Sequence, residues 1–198
     1  STLLEGETYH LVTEYDALGR MTRLFNWHLG GTGSRVAVYE PQYNGRGLLY
    51  SEEIVVRAKK TNTDKGYAAS VQTKRATAIG KIIYNAKGQK LTLALGNGTT
   101  TTYSYDARTF RPTDLRSERA TAPRGLQNLQ YTYDPVGNIT HINDAAQETV
   151  FHNNSVIRPE HHYVYDAIYR LIEGCGRETS GAPAPPGNEE VPWPQGPI

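Results

Sequence analysis

The residues with types suited to chemistry gather near the C-terminal end: His141, Asp144, His152, Glu160, His161 and His162. Imidazoles and carboxylates are the donors a zinc-like ion takes. Their spacing argues against a shared ion. Neighbouring residues of a strand point to opposite faces, so His161 and His162 cannot readily meet one ion, and His152 could join one of them only if their strands were adjacent. The histidines read as surface or rim residues, and neither a metal nor a cofactor is expected. Asp16, Asp106, Asp134 and Asp166 resemble a carboxylate array, but each follows a tyrosine at a turn entrance, where a carboxylate caps backbone N–H groups. Ser34, Ser51, Ser70 and Ser155 stand in no nucleophile-elbow context, and Cys175 has no recognisable histidine partner. Residues 29–35 (LGGTGSR) imitate a phosphate loop, which needs a Lys followed by Ser or Thr opening onto a helix. Here Arg35 leads into Val36, Val38 and Tyr39, a strand composition, so a wide hairpin loop is the better reading. With no catalytic centre to assemble, the chain is not expected to be an enzyme.

The elements that carry these residues follow one template, clearest in residues 129–142 (LQYTYDPVGNITHI). Tyr131 and Tyr133 alternate with polar residues, so both rings leave one face of a strand. Asp134-Pro135-Val136-Gly137 is a turn: Asp accepts backbone N–H bonds, Pro sets φ, and Gly takes the left-handed position. Ile139 and His141 resume the alternation. The unit recurs at Tyr15-Asp16 with Gly19-Arg20, at Tyr84-Asn85 with Gly88, at Tyr105-Asp106, and at Tyr165-Asp166 with Arg170. Phe110 and Tyr169 stand where glycines are expected, which puts those two turn types in doubt. Tyr43-Asn44-Gly45-Arg46-Gly47 is a weaker sixth copy. Starts lie roughly 20 to 40 residues apart, the range in which repeats mean stacked supersecondary units.

This Tyr-Asp-x-x-Gly-Arg unit resembles the YD repeat of RHS-repeat proteins, the family that includes the B and C components of insecticidal toxin complexes. The resemblance covers residues 11–178, with a divergent stretch near 47–80. It implies a long β-sheet strip spiralling into a hollow shell around a toxic C-terminal segment. The expected partners are therefore the rest of such a shell and its enclosed segment, and the implied setting is a secreted or cell-surface toxin component. An aspartyl-protease-like self-cleavage site occurs in some members; no paired-Asp motif follows Asp166, so that activity is not carried over.

The predicted fold is all-β: antiparallel hairpin repeats in a continuous twisted sheet over residues 1–180, with a loop-rich insertion near 57–80 and a Pro/Gly-rich linker or tail at 181–198. Abundant Tyr and Thr suit half-buried strands. Residues 48–58 read as strand. If a helix exists it falls at 67–77, and 116–125 reads as a polar connector. Gly96-Asn97-Gly98 predicts a tight reversal in which both Asn and Gly tolerate positive φ. A net charge of +1 implies neither nucleic acid nor an anionic membrane. No apolar run is long enough to span a bilayer, and the first residues carry no signal-peptide pattern. The single Cys175 allows no internal disulfide. The chain reads as a piece of something larger, because it begins and ends mid-pattern without the caps solenoids need. Open edges make self-association through an edge strand an expectation. An alternative function is a carbohydrate- or protein-binding module using Trp27, Trp193 and a row of Tyr103, Tyr131, Tyr133, Tyr163 and Tyr165; burial of those rings would mark them as packing instead.

Overall fold

A computed structural model describes residues 9–28, 35–61, 67–68, 73–152 and 155–177. The expectations for residues 1–8, the loop at 29–34 and the tail from 178, Trp193 included, lie outside the described residues. Every regular element described is a strand: β1 (Tyr9–Tyr15), β2 (Met21–His28), β3 (Arg35–Tyr43), β4 (Leu49–Lys60), β5 (Tyr67–Ala68), β6 (Lys74–Tyr84), β7 (Lys90–Leu95), β8 (Thr99–Tyr105), β9 (Pro112–Arg119), β10 (Gly125–Tyr133), β11 (Ile139–Asp144), β12 (Val150–His152), β13 (Ser155–Ile157), β14 (Glu160–Tyr165) and β15 (Leu171–Cys175). The fold is all-β and antiparallel, as the repeats imply. Among the described residues no helix is long and apolar enough to cross a membrane.

The chain divides into two compact units at Gln130/Tyr131, within β10. In the first the pairing order is β1-β2-β3-β4-β6-β7-β8-β9-β10, with β5 beside β4. In the second it is β10-β11-β14-β15, with β12 and β13 forming a separate two-stranded hairpin. Strand order thus follows chain order except where β5 and the β12–β13 hairpin step aside, and the sheet does not close.

The core of the first unit sits on β2, β3 and β4. Phe25, Val36, Val38, Val55 and Ala58 are buried together, with Val12 packed against them. Phe25 faces Val38, and Val38 faces Val55 across the ladder. Val36 pairs with Ala58, so one residue of β3, Ala37, faces two of β4, Val56 and Arg57. A bulge absorbs the odd residue, with Arg57 in the left-handed region at φ 59°. The bulge is what brings Val55 and Ala58, three apart, into one core.

Two segments depart from the sequence reading. The helix expected at 67–77 is absent where described: 67–68 is β5 and β6 begins at Lys74. Its polar side chains find partners that only an extended strand gives them, Arg75 on Glu40 at 2.8 Å and the Thr77 hydroxyl donating to Glu53 at 2.7 Å. Tertiary pairing overrides local propensity here. The connector expected at 116–125 is strand at both ends, since β9 runs to Arg119 and β10 starts at Gly125, and is a connector only over 120–124. Its polar residues meet the threonine strand, with Thr101 and Ser117 sharing a hydroxyl hydrogen bond of 2.8 Å.

Candidate functional site: the tyrosine–aspartate turns and a histidine pair

Five of the repeats build the same turn. Asp16 Oδ1 accepts the N–H groups of Leu18 and Arg20, both at 2.9 Å. Asn85 Oδ1 does the same for Lys87 and Gln89 at 2.9 and 3.0 Å, and Asp166 Oδ1 for Ile168 and Arg170 at 2.9 Å each. Asp134 takes Gly137 and Asn138 at 2.6 and 2.8 Å. Asn44, in the weaker copy, is a full member: it accepts Arg46 and Leu48 at 2.9 and 3.1 Å, and Gly47 takes φ 76°. The signal for it was already written, since Asn44 precedes Gly47 by the same three residues that separate Asp16 from Gly19.

The residue closing each turn matches its cap. Arg20 Nε and Arg170 Nε each lie 2.7 Å from Oδ2 of Asp16 and Asp166. Asn138 Nδ2 donates to Asp134 at 2.8 Å, whereas neutral Asn85 donates its own Nδ2 to Gln89 Oε1 at 2.8 Å. The charges follow. The Arg20 N–H holds the Asp16 carboxyl below its ordinary value, the Thr109 N–H does so for Asp106, and the Arg170 N–H for Asp166. At Asp134 partial desolvation pushes the other way, but the Asn138 amide and nearby N–H groups outweigh it.

Phe110 and Tyr169 resolve the doubt their sequence raised. Both adopt the glycine conformation, at φ 61° and 65° beside 75° at Gly19 and 86° at Gly88. The Asp106 turn is one residue longer, so the Phe110 N–H reaches Asp106 O at 2.9 Å. In the Gly96–Gly98 reversal only Gly98 takes positive φ, at 82°. Asn97 instead accepts the Thr99 N–H at 3.0 Å.

The tyrosines link one hairpin to the one before it. Tyr84 Oη donates to Leu49 O, Tyr105 Oη to Lys90 O, and Tyr165 Oη to Ile139 O, at 2.8, 2.8 and 2.9 Å. Each acceptor opens the return strand of the preceding hairpin. Burial raises the Tyr84 and Tyr105 phenols, which keeps them donors. In the first unit the turns also touch: Arg20 lies over the Tyr43 ring at 5.1 Å, Arg46 donates to Asn85 O and Ala86 O at 2.8 Å, and Gln89 donates to Phe110 O at 2.7 Å. Tyr103, Tyr131, Tyr133, Tyr163 and Tyr165 are half-buried. Tyr131 and Tyr133 share a face, their centroids 6.5 Å apart.

One regularity had no sequence signal. At Tyr15, Tyr43, Tyr84, Tyr105 and Tyr165 the register slips, leaving Thr22, Tyr50, Leu91, Thr113 and Ile172 out of the ladder. Every one of these hairpins carries a bulge at the second residue of its return strand.

The histidines assemble differently from their spacing. The β12 strand of His152 is no neighbour of β14. Instead His141 on β11 stands directly opposite His162 on β14, with Asn143 opposite Glu160. Glu160 and His162 are two apart and share a face. Glu160 Oε2 lies 3.5 Å from His141 Nε2 and 3.3 Å from His162 Nε2. His161 points to the other face, against Gly176.

A sheet built from Tyr-Asp hairpins in chain order, three of them hooked to the preceding hairpin by a tyrosine hydroxyl, defines an RHS/YD-repeat protein. The comparisons place it further. Over 186 residues, 92% of its length, the chain is 35% identical to toxin subunit YenC2 of Yersinia entomophaga, and over 109 residues it is 43% identical to toxin subunit YenC1 of the same organism. The crystal structure of TcdB2-TccC3 without its hypervariable C-terminal region matches with a TM-score of 0.66 and 30% identity over 92% of the chain. This chain is a homologue of those toxin-complex subunits. It spans 17% and 11% of the two subunits and 8% of the TcdB2-TccC3 chain. No family model matches it.

Proposed function

We propose that this segment is wall, not machinery: a run of YD hairpins in a toxin-complex shell that encloses a C-terminal toxic segment, with no catalysis of its own. The observation that carries the reading is the tyrosine hook at Tyr84, Tyr105 and Tyr165, each tying its hairpin to the return strand of the one before. The Tyr-Asp signature residues serve that construction. Their carboxylate and amide oxygens are occupied by backbone N–H groups, and three of their hydroxyls by carbonyls, which leaves those groups unsuited to substrate chemistry. The remaining shell and the enclosed segment are the partners this reading requires. The test is protease protection of the enclosed segment in the full-length parent subunit. Tyr84→Phe with Tyr105→Phe and Tyr165→Phe removes the hooks and is expected to expose that segment to cleavage. Unchanged protection, together with glycan binding that depends on the tyrosine row, would favour a carbohydrate-binding module instead.

A further inference from the structure

The cluster on β11 and β14 is held more loosely than a committed ion pair. One carboxylate oxygen, Glu160 Oε2, faces two imidazole nitrogens at 3.3 and 3.5 Å. Charge-assisted N–H···O contacts settle near 2.7–2.9 Å; His162 Nε2 and Glu160 Oε2 share only a long hydrogen bond of 3.3 Å, and the approach to His141 makes none. His141 Nε2 is shut off from water and makes no hydrogen bond, a costly state for a polar atom. The two rings stack, centroids 4.5 Å apart and planes 26° apart, so their edges run alongside one another. The three donor atoms all lie within 4.8 Å of one another. A tetrahedral ion with bonds near 2.1 Å holds its donors roughly 3.4 Å apart, the separation seen on both sides of Glu160.

We propose that His141, Glu160 and His162 bind a divalent transition-metal ion, zinc or a close analogue, through Nε2, Oε2 and Nε2, with water in the fourth position. The fold makes the set in a way sequence spacing conceals. An antiparallel pair puts His141 and His162 side by side, and the pleat returns Glu160 to the same face two residues along. Two histidines and a carboxylate suit zinc, nickel or copper better than magnesium or calcium, which take oxygen. Cys175 also stands opposite His162, on β15, but its thiol is directed at Glu173 Oε1, 3.3 Å away. The ion would clip β11 to β14 where the chain leaves the sheet for the β12–β13 hairpin. Only three residue pairs join β11 to β14.

The test is zinc binding by the full chain carrying Cys175→Ser, which removes the thiol as a competing ligand, followed by calorimetry and by the visible spectrum of a cobalt(II) derivative. One ion per chain, and a raised melting temperature reversed by chelator, are expected. His141→Ala, His162→Ala and the near-isosteric Glu160→Gln should each weaken binding on the order of tenfold or more. His161→Ala, on the opposite face, should leave it unchanged. Absence of saturable binding, or binding that survives all three ligand substitutions in folded protein, overturns the proposal. Circular dichroism of each variant establishes that it is folded, and Glu160→Gln keeps the test open if a histidine variant is not.

Discussion

A carboxylate that accepts two or three backbone N–H groups is worth more to the folded chain when ionised. Asp16, Asp106, Asp134 and Asp166 are all held below their ordinary value of 3.8 by such bonds, so the folded state binds fewer protons there than the unfolded one. Their contribution is complete above that value and drains away as pH falls through the lowered values. Urea midpoints should therefore drop as pH is taken below about 4, and Asp16→Asn with Asp166→Asn should flatten the dependence. The chain already uses the neutral cap at Asn44 and Asn85, so the amides are expected to fold. A second expectation concerns backbone conformation. Tyr169 sits at φ 65° and is 58% exposed, so its side chain has little packing to lose. Tyr169→Gly should stabilise the protein by about 0.5–1 kcal/mol, the relief of left-handed strain less the added freedom of the unfolded chain, measured by denaturant unfolding. Phe110→Gly should gain less, because the Phe110 ring carries the Lys87 ammonium 2.9 Å from its centroid.

At the level of strands and hairpins, how much could be read depended on how local the cause was. The Asp-x-x-Gly turns were legible because cap, bend and left-handed residue lie within five positions of each other. The first part of β6 was not, because Lys74 to Thr77 have no strand signature until Glu40 and Glu53 stand beside them. The histidine pair failed for the same reason: which two of His141, His152 and His162 meet is a matter of register, and the β12–β13 hairpin intervenes without separating β11 from β14. Gly96 shows how a turn residue can have a second duty. Its N–H donates to Ala78 O at 3.0 Å, and a Cβ there would run into the Thr77 carbonyl, an obstacle of backbone that cannot swing aside. Gly96→Ala should cost about 2 kcal/mol or more, with amide exchange rising first in β6 and β7.

Taken as a whole chain, the molecule has an end that invites company. The β15 strand closes the pairing order of the second unit, and all five of its residues are exposed, Leu171 at 55% and Ile172 at 64%. Among the described residues no strand pairs with its outer edge, and an edge of that kind can add a strand from a copy of itself. Sedimentation should show apparent mass rising with concentration, and Ile172→Lys should hold the protein closer to monomer. A constant monomeric mass across a wide range would argue that another part of the chain already covers that strand.

The bulge repeated at the second residue of the return strands carries a further meaning. Because each hairpin ejects its surplus residue on the spot, at Thr22, Tyr50, Leu91, Thr113 or Ile172, no misalignment is handed to the next strand. A whole unit can then be gained or lost by duplication or deletion while its flanking neighbours keep their phase. Chains of this kind can change length in evolution by counting hairpins, without redesigning the ones that stay.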